Sequence, residues 1–233
     1  MDSASLLALV QSGNLAEAIS LVKTNANPTE ASAAFIDLSR QTYRQLKDVS
    51  SMIALGNAGT QFALSQAAAS ESSADADKLK RNAKVLAFNT AANCWPGWGD
   101  ADIEIKKEHL EAGLNLATLC RDMTLELDLG HKERGTAYWL IGALHLANGE
   151  YAKSLSALQH ARDEYQAGGH SDQVLMVEGY AALALKAQPE TMSSGARELD
   201  RILQLLGEQN SKEAQFFVNQ LITAERILVG ATP

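Results

Sequence analysis

The placement of proline constrains the fold of this chain most strongly. The 233-residue sequence has four prolines, and each stands where the surrounding pattern would begin or end a helix: Pro28, Pro96, Pro189 and Pro233. A proline inside a helix costs about 3 kcal/mol, so this placement leaves long stretches of good helix formers uninterrupted. Alternating runs of β-branched residues between turn dipeptides, which mark strands, are nearly absent. The sequence therefore predicts an all-α protein.

Capping residues and glycines divide these stretches into about eleven helices. Two segments are typical of helix N-termini, Asn27-Pro28-Thr29-Glu30 and Asn210-Ser211-Lys212-Glu213. Asp48 marks the start of another helix after the preceding one ends. Short connections make sequential helices antiparallel. The small and polar residues 65–78 predict a frayed helix end and a mobile loop, which could act as a hinge, and we expect one domain over 1–233. The later helices are predicted at about 100–129, 132–147, 150–167, 171–187, 194–206 and from 210 onwards. Gly130 is the glycine expected to end the first of these helices.

Composition excludes several classes of function. Hydrophobic residues make up 46% of the chain, enough for a sizeable core, and the formal net charge of −8 disfavours nucleic acid and anionic membranes as partners. No apolar run approaches the roughly 18 residues of a membrane span, and the N-terminus lacks the pattern of a signal peptide. Cys94 and Cys120 are too few for a disulfide framework, so we expect reduced, buried thiols. We expect a cytoplasmic protein with no nucleic-acid or membrane partner.

Residues 135–168 combine aromatic and small side chains at positions that bear on how two helices pack. Tyr138 precedes the small Gly142 on one predicted helix, Gly149-Glu150-Tyr151 forms the turn, and Ser154 is the small residue of the next helix. Small residues where two helices cross let the backbones approach closely, and the aromatic rings fill the space beside that contact. The pattern predicts a tightly crossed helix pair.

This pattern resembles the tetratricopeptide (TPR) repeat family. Weaker copies lie at 1–26 and at 172–206, the latter with Gly179 in the small position. The resemblance implies a right-handed superhelix of antiparallel helix pairs, without catalysis, that binds a peptide or helix of a partner protein in a concave groove. It implies that the groove is lined by Trp139, Leu146, Met176, Tyr180 and Leu183. The alternative is that another helix of the same chain covers this strip.

The segment from Trp95 to Asp102 has no place in the repeat pattern. Trp95 and Trp98 flank Pro96-Gly97, so they either plug the space between the flanking long helices or contact a ligand, with Asp100 and Asp102 close by. The second reading would make the protein a small-molecule binder or an enzyme. A third reading is a self-associating structural protein, because Phe216-Phe217-Val218 spreads apolar surface around the last helix and could form a homodimer face.

Motifs of catalysis, metal binding and cofactor binding are missing from the sequence. It contains no HExxH, GxSxG, P-loop or GxGxxG motif, and His109 does not converge with Glu108 or Glu111 because residues one or two apart on a helix point in different directions. A Ser/His/Asp triad leaves no local signature, because its members can be far apart in sequence. We therefore expect no enzyme activity, no metal and no cofactor.

Overall fold

The computed structural model describes residues 2–24 and 27–230, and this part of the chain is helical without strands. A π-helical turn, Thr42–Leu46, continues the helix Pro28–Gln41, and a 3-10 turn, Pro96–Trp98, follows the helix Ser73–Asn93. The described residues form eleven α-helices, as the sequence predicts: α1 Ser3–Gln11, α2 Leu15–Lys23, α3 Pro28–Gln41, α4 Val49–Ala69, α5 Ser73–Asn93, α6 Lys107–Glu126, α7 His131–Ala147, α8 Tyr151–Ala167, α9 Ser171–Lys186, α10 Met192–Glu208 and α11 Lys212–Leu228.

The chain divides into two compact units. Unit 1 consists of Met1–Cys94 with Asp102–Asp128, and so contains α1 to α6. Unit 2 consists of Trp95–Ala101 with Leu129–Pro233, and so contains the 3-10 turn and α7 to α11. The single domain expected over 1–233 stays a prediction.

The predicted helix starts are confirmed by their hydrogen bonds. The Asn27 side-chain oxygen accepts from the backbone N–H groups of Thr29 and Glu30 at 3.0 and 3.3 Å. Asp48 and Ser211 cap α4 and α11 by accepting from backbone N–H groups at 2.9 Å. Each cap satisfies donors that a helix N-terminus leaves without an internal partner.

The mobile loop predicted within residues 65–78 is much shorter in the structure. Helix α4 continues to Ala69 and α5 begins at Ser73, so only three residues connect them. Alanine is the best helix former, and Ser72 caps α5 by accepting from the backbone N–H of Asp75 at 3.3 Å. The small residues that suggested a mobile loop therefore extend two helices, and the hinge prediction loses its basis.

The long helix predicted over 100–129 is shorter at both ends. Gly99 and Asp102 adopt left-handed backbone conformations, with φ of 66° and 63°, so α6 begins only at Lys107. At the other end Asp128 has a φ of 47°, whereas Gly130, the predicted helix terminator, is the N-cap of α7. Aspartate tolerates the left-handed region better than most residues and replaces the expected glycine.

Helices α7 and α8 form the tightly crossed antiparallel pair that the sequence predicts. The Ser154 hydroxyl donates to the Gly142 carbonyl oxygen at 2.8 Å, and both residues are buried. A Cβ on Gly142 would lie 2.7 Å from Leu158 Cγ, which is too close for any side chain. At the turn Gly149, with a φ of 72°, donates its N–H to the Leu146 carbonyl oxygen at 3.1 Å.

The pair α9 and α10 crosses at a different glycine from the one expected. A Cβ on Gly195 would lie 2.3 Å from the backbone nitrogen of Lys186, so Gly195 gives α10 its close approach to α9. A Cβ on Gly179 would instead meet Leu221 of α11 at 2.5 Å. The small residue at position 179 therefore accommodates α11, and its assignment to the crossing of α9 with α10 is wrong.

Candidate functional site

The side chains expected to line an open groove are buried in the folded chain. The set comprises Trp139, Leu146, Met176, Tyr180 and Leu183, and none of them is more than 5% exposed. The structure does bring Trp139 and Tyr180 together, with ring centroids 5.7 Å apart. These residues therefore do not form an open strip in this structure, because the same chain covers them, and their role in binding a partner stays a prediction.

The segment that has no place in the repeat pattern packs on the rings of two of these residues, Trp139 and Tyr180. The Trp95 ring lies 6.0 Å from the Trp139 ring and 5.6 Å from the Tyr180 ring, measured between centroids. Trp98 packs against Trp95 at 4.8 Å and against Trp139 at 6.2 Å. We call the surface formed by Trp139 and Tyr180 the aromatic face. The tryptophan turn occupies this face.

Each residue of the tryptophan turn has a geometric role. Pro96 occupies the first position of the 3-10 turn, where its missing N–H is not needed. A Cβ on Gly97 would lie 2.1 Å from Trp95 Cζ2, so the indole of Trp95 folds over Gly97 only because that side chain is absent. Gly99 ends the turn in a left-handed conformation and packs against α11, where a Cβ would lie 2.8 Å from Thr223 Cγ2. Asp100 is exposed just beyond this turn.

The aromatic cluster contains polar atoms without partners. Trp95 Nε1, Trp139 Nε1 and the Tyr180 hydroxyl are buried and make no hydrogen bond. Burial raises the pKa of Tyr180 well above its usual range, so its hydroxyl stays protonated. The centroids of the three rings lie 5.6 to 6.0 Å apart, the separation of aromatic rings in direct contact. Trp95 therefore packs on α7 and α9, which are not the helices that flank the turn in sequence, and no ligand fits between these rings.

An open groove lies elsewhere on unit 2, along α8, α9 and α10. Its volume is about 480 Å³, within the roughly 300–1,000 Å³ of ordinary ligand sites. The floor is apolar, with Leu155 on α8 and with Ala181 and Leu185 on α9, all of them half-buried. We call this feature the α8–α10 groove. It offers apolar contact area that the described part of unit 2 does not cover.

Ion pairs between the three helices border the α8–α10 groove. Arg162 Nε lies 2.9 Å from Glu178 Oε1, and Arg201 lies 3.7 Å from the other oxygen of the same carboxylate. Arg201 also donates to Glu198 at 2.6 and 3.0 Å, and this hydrogen bonding lowers the pKa of the Glu198 carboxyl. Sequence reasoning missed this border because Arg162, Glu178 and Arg201 belong to three different helices. Only Glu198 and Arg201 have a helical spacing that reveals their contact.

A serine–histidine pair in unit 1 has the wrong geometry for nucleophilic catalysis. Ser50 Oγ lies 3.2 Å from Nε2 of the buried His109, whose Nδ1 accepts from the backbone N–H of Lys106 at 3.2 Å. Because Nδ1 accepts, the neutral imidazole carries its proton on Nε2 and donates it to Ser50. A general base needs the opposite tautomer, with a free lone pair facing the hydroxyl.

The other reactive groups are inert or dispersed. Burial raises the pKa of the Cys94 thiol to about 12 and also raises that of Cys120, so neither forms a thiolate easily. Both cysteines are free and buried, as the sequence predicts. Among the described residues, no group of three or more His, Cys, Asp and Glu side chains is arranged to hold a metal ion.

Helix α11 exposes two large apolar side chains. Phe216 is 54% exposed and Ile222 is 48% exposed, whereas Phe217 is buried. Phe216 and Ile222 are six positions apart on the helix, so their side chains point in directions about 120° apart. They do not form one continuous patch, and this geometry does not favour α11 as a homodimer face.

Two further results do not concern a particular site. No helix in the described ranges has the length and hydrophobicity that crossing a membrane would require. Comparison of the chain with protein-family models, with curated proteins and with solved structures finds no match.

Proposed function

We propose that this chain is a non-catalytic helical-repeat protein that mediates protein–protein interaction. The proposal includes the right-handed TPR-like stacking of its helix pairs and a cytoplasmic location. The close crossing at Gly142 and Ser154 supports the repeat architecture. So do the turns at Gly13, Gly149 and Gly169, which share a positive φ of 84°, 72° and 72°.

The α8–α10 groove is the observation that carries the proposed function. It has an apolar floor bordered by charged side chains, the arrangement of a protein interface with an apolar centre and a polar rim. Helices α8 and α10 flank the groove and α9 forms much of its floor, so a further helix lying along it would continue the same helix-on-helix packing. The groove therefore suits an amphipathic helix of a partner protein.

The charges of the groove indicate which amphipathic helix fits. The side chains of Arg162 and Arg201 are 42% and 50% exposed, whereas Glu178, which they share, is 23% exposed. The Glu198 carboxylate, 41% exposed, also borders the groove, so the rim offers two guanidinium groups and two carboxylates to a partner. We expect the apolar stripe of the partner helix to be flanked by charged side chains of both signs, of which the acidic ones would pair with the guanidinium groups.

A substitution in the floor tests the proposed function. Ala181→Arg places a charged side chain in the groove while keeping a good helix former, and Ser156→Arg adds the same side chain on the exposed surface of α8 outside the groove. Proteins that associate with the full chain in native lysate are identified, and the strongest one is purified for titration by calorimetry. We expect Ala181→Arg to weaken binding at least tenfold and Ser156→Arg to leave it unchanged.

The charge preference has its own readout. Arg201→Glu reverses one border charge and is expected to weaken the same partner further at low salt than at high salt, because exposed charges are screened. Equal affinity of the wild-type chain and Ala181→Arg for every purified partner would contradict the groove as the interaction site.

A further inference from the structure

We propose that the aromatic face is a second binding site, specific for a tryptophan-bearing peptide turn, and that the chain's own segment Trp95–Gly99 closes it as an internal occupant. This inference goes beyond the α8–α10 groove, since it concerns other residues of unit 2. It assigns a role to Trp95–Gly99, the segment that has no place in the repeat pattern.

The first observation is what the aromatic face already holds. Trp95 packs on both Trp139 and Tyr180, and Trp98 extends the contact to Trp139. The tryptophan turn is joined in sequence to α5 and α6, not to the helices that carry the face, so within unit 2 non-covalent contacts hold it there. The aromatic face is thus occupied by a short peptide turn. This turn carries two indole rings separated by Pro-Gly, which indicates the kind of ligand that the face accepts.

The second observation is that the tryptophan turn leaves polar atoms of the aromatic face without hydrogen-bond partners. Trp139 Nε1 and the Tyr180 hydroxyl on the face, together with Trp95 Nε1 on the turn, are buried without hydrogen-bond partners. A buried donor that lacks an acceptor loses its bonds to water and gains nothing in return. The rings of Trp95, Trp139 and Tyr180 therefore pack together while these three polar atoms stay without a hydrogen bond.

These two observations define the chemistry of a better occupant. It places an indole ring where Trp95 lies, and it carries carbonyl or carboxylate oxygens that accept from Trp139 Nε1 and Tyr180 Oη. A peptide turn has such oxygens on its backbone. A turn from another protein would then compete with Trp95–Gly99 for the same face, and closure by the internal turn would lower its apparent affinity.

Gly97 gives a way to open the face without altering it. A Cβ at this position would lie 2.1 to 2.5 Å from three atoms of the Trp95 ring, so Gly97→Ala forces that ring from its place. The residues of the aromatic face stay unchanged. Gly207→Ala is the matched control, because a Cβ there meets nothing within 4 Å.

The probe is a synthetic, fluorescein-labelled peptide with the sequence of residues 95–101, titrated into full-length proteins and followed by fluorescence anisotropy. We expect Gly97→Ala to bind it at least tenfold more tightly than the wild-type chain, and Gly207→Ala to match the wild type. Adding Trp139→Ala to Gly97→Ala removes a wall of the site and is expected to abolish the gain.

A second variant protects the test against a folding defect. Trp98→Ala removes the half-buried ring of the turn without adding an atom, and should raise peptide affinity in the same direction. The proposal is overturned if both variants unfold cooperatively like the wild type yet bind no more peptide. It is equally overturned if both lose cooperative unfolding, since the turn would then be a permanent part of the core. Ala181→Arg should leave peptide binding unchanged, which separates this result from the fate of the proposed groove.

Discussion

At the scale of single residues, two glycines show that close packing determines how a glycine-to-alanine substitution affects stability. Gly142 lies where α7 and α8 cross, whereas Gly207 lies on an exposed turn of α10 with free space around it. Both are glycines in helices, and the sequence around them does not indicate how closely another segment of the chain packs against each one. The same added methyl group therefore has opposite expected effects at the two positions.

We predict that Gly142→Ala lowers the free energy of unfolding by about 1–3 kcal/mol, because the new Cβ would lie 2.7 Å from Leu158 Cγ and 3.3 Å from its backbone nitrogen. Gly207→Ala should raise the same quantity by about 0.5 kcal/mol, because alanine has less backbone freedom to lose on folding. Urea denaturation followed by circular dichroism measures both. Equal effects of the two substitutions would contradict the close crossing.

Glu150, at the turn between α7 and α8, predicts a local pH dependence. Hydrogen bonds from Lys153, Asn148 and His145 lower its pKa from 4.5 to about 2. Because the folded-state pKa is depressed, the stabilisation is complete above about pH 4.5 and is lost as pH falls towards 2. The carboxylate is partly exposed, so the effect should stay below about 1 kcal/mol. Glu150→Gln should remove this component of acid destabilisation in denaturation curves recorded at several pH values.

At the scale of elements, the boundary between α4 and α5 shows how helix propensity decides between two interpretations of one composition. Small residues such as Ala and Ser suggest a loop when they are read as a polar cluster. Alanine in a row also favours a helix, and the caps then determine where each helix begins. In this chain Ser72 marks the start of α5, and Ala67 of α4 is buried.

We predict slow amide hydrogen exchange on both sides of this boundary. Backbone amides within Ser65–Ala69 and Ala76–Lys78 should be protected, because they lie within helices, while residues 70–72 should exchange fast. Exchange measured by mass spectrometry on overlapping peptides checks this. Uniformly fast exchange over the whole of 65–78 would restore the loop that the composition suggested.

At the scale of the whole molecule, the chain carries separate natural probes for its two units. Its three tryptophans, Trp95, Trp98 and Trp139, belong to unit 2, whereas Cys94 and Cys120 belong to unit 1. Both cysteines are buried and free, so a thiol reagent reaches them only on unfolding. The two units can therefore be followed independently in one sample.

If residues 1–233 form the single domain that we expect, both probes should report one transition. Tryptophan fluorescence and the rate of thiol labelling, measured across the same urea series, should then give coincident midpoints. Acrylamide should quench mainly Trp98 in the folded protein, because Trp95 and Trp139 are buried. Two separated midpoints would instead define two domains with the bounds of the two units.

The sequence by itself determined the features that depend on neighbours along the chain. Helix caps such as Asn27 and Asp48, the glycine turn at Gly149 and the crossing of Gly142 with Ser154 involve residues at most 12 positions apart, and local backbone energetics select them. Tertiary structure alone decided which surfaces stay open. Trp95 reaches Trp139 across 44 positions, and Arg162, Glu178 and Arg201 meet from three helices. Burial depends on every segment that packs nearby, so the resemblance to the repeat family could imply that Trp139 and Tyr180 lie on one strip but could not show that a distant turn covers them.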